Sequence, residues 1–161
     1  MTTQGPWENE GDAVSLRFVD DHDGTGELFV LARANGFSGA SSAWFGLDDL
    51  LSFAALLAAM PLQEDPAPSL KGGYFAEPPT AGLAQEHVGI EIRQISFNGQ
   101  VAVAVHLATP QTVREGPHRQ QECRLELYTT YERLRHFGDE ISEMLQGRRT
   151  RATIKAEVLG A

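Results

Sequence analysis

Cysteine is almost missing from this chain of 161 residues: Cys123 stands alone, so no intramolecular disulfide can close the fold. Long apolar runs are missing too. The longest, Leu50 to Met60, falls well short of the roughly 20 residues that span a bilayer, and the N-terminus lacks the basic-then-apolar pattern of a secretion signal. We therefore expect a cytoplasmic protein without membrane contact. There is no His-Glu-x-x-His or His-x-x-x-His spacing, no cysteine pair, no dinucleotide fingerprint and no phosphate loop ending in Lys-Ser or Lys-Thr. These absences predict neither a metal nor a cofactor.

Positive charge is scarce, and unevenly so. Residues 1–70 hold eleven acidic groups against Arg17 and Arg33 alone, whereas residues 71–161 hold eleven of each sign, so the net charge of −9 arises wholly in the N-terminal part. A nucleic-acid binder needs clustered cations for phosphate contacts, which argues against such a role. The run Arg148-Arg149-Thr150-Arg151 is the one local exception. An acidic N-terminal surface instead favours a basic partner, drawn in by long-range attraction.

What the chain does contain reads as one α+β domain. Residues 1–12 are polar and aperiodic and form a lead-in; residues 13–161 carry the pattern of a single core, with an Arg-rich final segment from about residue 147. Val14, Leu16 and Phe18 alternate with polar residues as a strand does, Asp20 to Gly26 reads as a tight connection, and Glu27 to Arg33 returns as the second arm of a hairpin. Leu47 to Met60 shows helical spacing, with Gly46 at its N-cap, Asp49 near the free amides of its first turn and Pro61 as its stop. Val88, Ile90 and Ile92 alternate in one parity and Ile95 and Phe97 in the other, which predicts a bulge near Arg93-Gln94. Asn98-Gly99 predicts a two-residue turn into the strand Val101 to Leu107, whose small alternating residues place it centrally. Cys123 to Leu127 reads as a strand with one wet face and an inert, buried thiol. Thr129 with Glu132 matches a capping box, and a second helix follows with Tyr131, Leu134, Phe137, Ile141 and Met144 or Leu145 inward. Gly138 marks a kink or a close approach, and Ala152 to Val158 alternate as a terminal strand. The expected architecture is a mostly antiparallel twisted sheet of five to seven strands with two helices packed against it.

Catalytic patterns fail on their spacing. Gly36-Phe37-Ser38-Gly39-Ala40 approaches a nucleophile elbow but puts alanine at the second glycine, and the next helix begins too late for the sharp turn the elbow requires. Asp21 to Glu27 offers carboxylates at the first and third positions of a calcium loop, but Ala32 stands where the bidentate glutamate belongs. Glu122 with Glu126, and Asp139 with Glu140 and Glu143, fit wet strand and helix faces better than acid-base pairs. Trp44 and Phe45 are adjacent, so on an extended segment they point to opposite sides. The step from Trp44 straight into an amphipathic helix predicts that Trp44 enters the core and Phe45 faces out. Asp20, Asp21, Asp23, Trp7 and Phe45 are thus the candidate protein-interface residues.

Gly26-Glu27-Leu28, Ala34-Asn35-Gly36-Phe37-Ser38-Gly39, Trp44, the Leu50-Phe53-Leu57 spacing and Leu70 with Gly72-Gly73-Tyr74 form a longer pattern. The hairpin from Val88 to Val103 and the strand-to-helix step from Leu125 to Leu134 extend it. Over about residues 14 to 145 this pattern resembles the small bacterial immunity proteins of the WapI type and their uncharacterised relatives. The resemblance implies a non-enzymatic cytoplasmic protein that neutralises a toxin by binding it, and the acidic charge independently suits a basic toxin occluded by that surface. Gly46 departs from the serine-like cap of that pattern, and the Arg-rich tail has no counterpart in it. Two other readings remain open: a homodimer formed by pairing of an exposed strand, the C-terminal one foremost, and a small-molecule enzyme with acids and histidines converging in a pocket.

Overall fold

A computed structural model describes residues 11–59, 61–62, 64–96, 98–111 and 120–157. Trp7, Phe97, His118 and Val158 lie outside the described residues. The fold is α+β, with the two helices and the antiparallel pairing that the sequence pattern predicts. Among the described residues the strands, however, number eight and divide into two four-stranded sheets.

Alternation builds the first hairpin. β1 (Ala13–Asp20) buries Val14 and Leu16, β2 (Thr25–Ala34) buries Leu28, Val30, Ala32 and Ala34, and the register sets Leu16 opposite Val30. A second hairpin follows at once into β3 (Phe37–Gly46), with Ala34 paired to Phe37. Between them Asn35 and Gly36 both take positive φ, at 54° and 87°, the two-residue turn whose twist matches a hairpin. Asn98-Gly99, expected to make such a turn, instead ends a longer connection in which Gln94 pairs with Val101.

The helix α1 (Leu47–Leu57) buries Leu50, Phe53, Ala54 and Leu57 and leaves Leu51 exposed. It ends three residues before the Met60 expected from the spacing. Pro61 explains this from a distance, because a proline ring collides with the carbonyl four residues back, here that of Leu57. β4 (Ser69–Phe75), β5 (Leu83–Gln94), β6 (Gln100–Ala108) and β7 (Glu122–Thr130) form the second sheet in chain order, so β6 is indeed interior. No bulge falls at Arg93-Gln94: pairing with β6 is unbroken from Val88 to Gln94, and Ile95 lies beyond the strand in solvent. The breaks lie upstream, in the pairing with β4: Gly72 pairs with Val88 but Gly73 with Glu86, leaving His87 as an extra residue, and a second shift follows between Tyr74 and Phe75.

The helix α2 (Tyr131–Leu145) is capped by Thr130, whose hydroxyl accepts from the amide of Arg133 at 3.3 Å. The expected cap, Thr129, is one residue too early. Its side chain is fully buried, and its hydroxyl donates instead to the carbonyl of Lys155 at 2.9 Å. Gly138 marks a close approach: a Cβ there would stand 2.7 Å from the carbonyl oxygen of Ala54 and 3.2 Å from Cβ of Leu57, so the two helices meet almost backbone to backbone.

The last strand, β8 (Ala152–Lys155), joins β1 and completes a first sheet ordered β3-β2-β1-β8. Its second edge is occupied. Thr153 donates its amide to Glu140 at 3.4 Å, Lys155 accepts from Thr129, and Glu157 donates to the carbonyl of Tyr128 at 2.9 Å. These bonds fill the edge that pairing with a second copy through this strand would use. Gly11 and Asp12, within the expected lead-in, are also tied down, through the Arg33 side chain and the amides of Asn35 and Ala156.

The inner sides of both sheets and one face of each helix share one core, in which Phe53, Phe137, Leu16, Ile90, Leu134 and Ile154 are fully enclosed. β3 crosses the second sheet and touches each of its strands, while α1 packs on α2 and α2 on β8. Burial of each such side chain contributes about 1.5–3 kcal/mol. The outward sides of the two sheets remain, and these carry the candidate sites.

Candidate functional site

The first outward face is set by the parity of β3. Gly39, Ser41, Ala43 and Phe45 turn toward the second sheet, and Ser38, Ala40, Ser42 and Trp44 turn away from it. Phe45 is only 7 % exposed, packed where a Cβ on Gly72 of β4 would meet its ring at 2.6 Å. It offers no surface to a partner, contrary to expectation. Trp44, expected in the core, is 54 % exposed. The helix alone does not decide which neighbour goes inward; the crossing of β3 over β4 does, because the glycine there leaves room for a ring from that side only. Gly39 plays a like role beneath Cys123, with a Cβ placed 3.1 Å from Sγ, so the thiol is half-buried against the strand rather than deep in the core.

Trp44 stands among carboxylates. Its indole N–H donates to Asp21 at 2.9 Å, and its partner across β2 is Glu27. The turn between β1 and β2 exposes Asp20, Asp21 and Asp23 together. Its tip is pinned to the start of α1 by the bond from the Leu47 amide to the Gly24 carbonyl at 2.8 Å, which brings the exposed Asp48 and Asp49 alongside. Asp23 accepts from both the hydroxyl and the amide of Thr25, at 2.7 and 3.0 Å. These bonds, the hydroxyl first, hold its carboxyl below the usual carboxylate range and so keep it ionised. The only basic group in the turn is His22, itself exposed beside Asp20 at 3.7 Å. The predicted acidic residues thus do converge, on a hairpin turn rather than a calcium loop. Trp44 joins them in place of Phe45, and Trp7 lies outside the described residues.

The second outward face holds a convergence that spacing does not reveal. His106 on β6 places Nδ1 2.5 Å from Glu86 of β5 and Nε2 3.8 Å from Glu122 of β7. An ionised carboxylate only accepts, so Nδ1 carries the proton. Glu86 reaches this position because of the bulge at His87. Val88, Ile90 and Ile92 face the core, and the extra residue turns Glu86 to the outer side, where unbroken alternation would have sent it inward. Gly89 completes the arrangement: a Cβ there would lie 2.6 Å from the Glu86 carboxylate. An open hollow of about 350 Å³ lies beside the pair, bounded also by Lys71, Glu91 and Arg124. Nε2 of His106 is enclosed and has no hydrogen-bond partner, so it presents no base to that hollow. The arrangement ties three strands together. The sequence-level signal for it was the lone glycine in an otherwise regular strand, which marks a close approach.

His87 itself is buried, with Nε2 2.9 Å from the Gln85 side chain and its ring edge-on to Tyr74 at 4.6 Å. Burial pushes its pKa below the ordinary histidine value. Ser38 is exposed on the outer side of β3, paired across to Arg33, with neither a turn nor a bulge around it. Among the described residues no group of three or more histidine, cysteine or acidic side chains is placed to hold a metal ion, and no helix is long and apolar enough to cross a membrane. The chain matches no family model, no curated protein and no solved structure.

Proposed function

We propose that this protein acts by binding rather than by catalysis. On this reading it presents the acidic, tryptophan-bearing end of its first sheet to a basic protein partner, in the manner of an immunity protein occluding a toxin. The observation that carries the reading is Trp44, large, exposed and fixed by Asp21 in the midst of the carboxylates of one turn. A solvent-exposed indole held in a single orientation is a typical anchor of a protein interface. The surrounding negative charge speeds encounter with a basic surface and disfavours acidic ones. This combination also agrees with the resemblance to the immunity proteins and with the placement of the whole charge excess before residue 70.

The test is co-purification with the product of the adjacent gene, followed by association kinetics at several salt concentrations. We expect a complex whose association slows as salt rises. Trp44→Ala should weaken it about 30-fold or more, the loss of a hot-spot residue, while leaving thermal unfolding within a few degrees. A failure to form any complex across those conditions, or an affinity that Trp44→Ala and Asp21→Lys both leave unchanged, would reject the proposal.

A further inference from the structure

The outer side of the first sheet holds a second feature, distinct from its acidic end. A groove of about 460 Å³ is lined by Phe29, Leu31 and Ala40 together with Pro110, Arg17 and Arg151. Its volume lies in the range of small-molecule sites, about 300–1,000 Å³. The two arginines are the informative part. The pairing of β1 with β8 ends at Leu16 and Ala152, and the next residue on each side, Arg17 and Arg151, lines the groove. Two like charges lining one groove repel. Neither guanidinium has a carboxylate within ion-pair reach among the described residues, although the chain has 22 acidic residues to 13 basic. By contrast Arg93, Arg133 and Arg149 each lie within 3.2 Å of a glutamate. Arg17 is also held in place, its guanidinium carbon 4.3 Å from the centre of the Phe29 ring. That stacking leaves the N–H edge of the guanidinium open to accept a planar anion. Glu27, the nearest acid along β2, is drawn toward β3 by the Ser42 hydroxyl at 2.6 Å.

We propose that this groove binds a small amphipathic carboxylate, its head between Arg17 and Arg151 and its hydrocarbon tail along Phe29, Leu31 and Ala40. An anion there removes the repulsion between the two guanidiniums, and the tail covers apolar surface that the fold leaves in water. The site makes no use of the acidic turn, so it stands or falls independently of the protein partner proposed above.

Titration of the full chain with octanoate, followed by calorimetry and by backbone amide shifts, tests this. Acetate supplies the head alone and octanol the tail alone. Octanoate should bind saturably, with shifts confined to the outer residues of β1, β2 and β3 and the start of β8, and about tenfold or more tightly than either fragment. Arg17→Gln and Arg151→Gln, both at exposed positions, should each weaken it about tenfold, and Arg135→Gln on α2 should leave it unchanged. Equal binding of octanoate and octanol, insensitivity to both groove substitutions, or no saturation by about 10 mM would each overturn the proposal.

Discussion

On the outer side of the second sheet, Arg93 reaches Glu126 at 3.2 Å and Glu91 at 3.7 Å, and His106 lies between Glu86 and Glu122. On the outer side of the first sheet, Arg17 and Arg151 line one groove with no ion pair among the described residues, and Val19, Leu31 and Trp44 stand 44 %, 42 % and 54 % exposed. Both surfaces belong to four-stranded antiparallel sheets with one side on the same core. The second carries close acid-base pairs, while Lys71 and Arg124 beside them have no ion pair among the described residues; on the first, neither arginine of the groove has one. Exposed apolar side chains occur on both sheets, Tyr74, Phe75 and Tyr128 on the second included, so it is their placement and not their number that separates the two. The binding proposals rest on the first sheet because Trp44 is fixed there among carboxylates and Arg17 is held against Phe29 at the edge of a groove.

The comparison can be broken in three places. The largest effect should come from Phe45→Ala, which removes a buried ring from the inner side of β3 and should cost about 3–5 kcal/mol in urea unfolding. A cost under about 1 kcal/mol would mean that β3 does not carry the core and that its outer side is not free of structural duty. Next comes Gly89→Val, which drives the Glu86 carboxylate off His106 and should cost about 1–3 kcal/mol. Ala40→Val, its counterpart on the outer side of the first sheet, should stay within about 0.5 kcal/mol. Equal costs would erase the distinction between a closed and an open face.

The smallest effect concerns pH. His87 is buried beside the bulge and its pKa is lowered by that burial, so the unfolded chain takes up a proton at a higher pH than the folded one. Its contribution to stability is complete above the ordinary histidine value of about 6.5 and is lost as pH falls from there toward the folded pKa. Urea midpoints should therefore drop on acidification through that window, and His87→Gln should flatten the drop. An unchanged slope in the variant would show that the bulge does not depend on a neutral imidazole.

Much of the fold was legible because its signals are local. Alternation marked β1, β2, β6 and β7, helical spacing marked α1 and α2, and the small residues of β6 placed it inside its sheet. The acidic turn was legible for the same reason, since Asp20, Asp21 and Asp23 need only one hairpin to meet. β4, with Gly72-Gly73 in its middle, has no alternation to betray it. Its glycines serve neighbours distant in sequence, Gly72 making room for Phe45 and Gly73 for the bulged β5. The cap of α2 was misplaced by one residue because Thr129 and Thr130 are chemically equivalent until β8 claims the first of them.

By itself the sequence determined the periods of the strands and helices, the acidic turn after β1 and the sign of the N-terminal charge, because each depends on residues within a few positions of one another. Only the tertiary structure decided that the strands divide into two sheets, that Phe45 and not Trp44 goes inward, that His106 meets Glu86, and that Arg17 and Arg151 share a groove. Each of these is set by which strands lie side by side or cross. That choice is made by packing between segments far apart in the chain, where a single glycine or one extra residue in a strand decides which side of the sheet a side chain occupies.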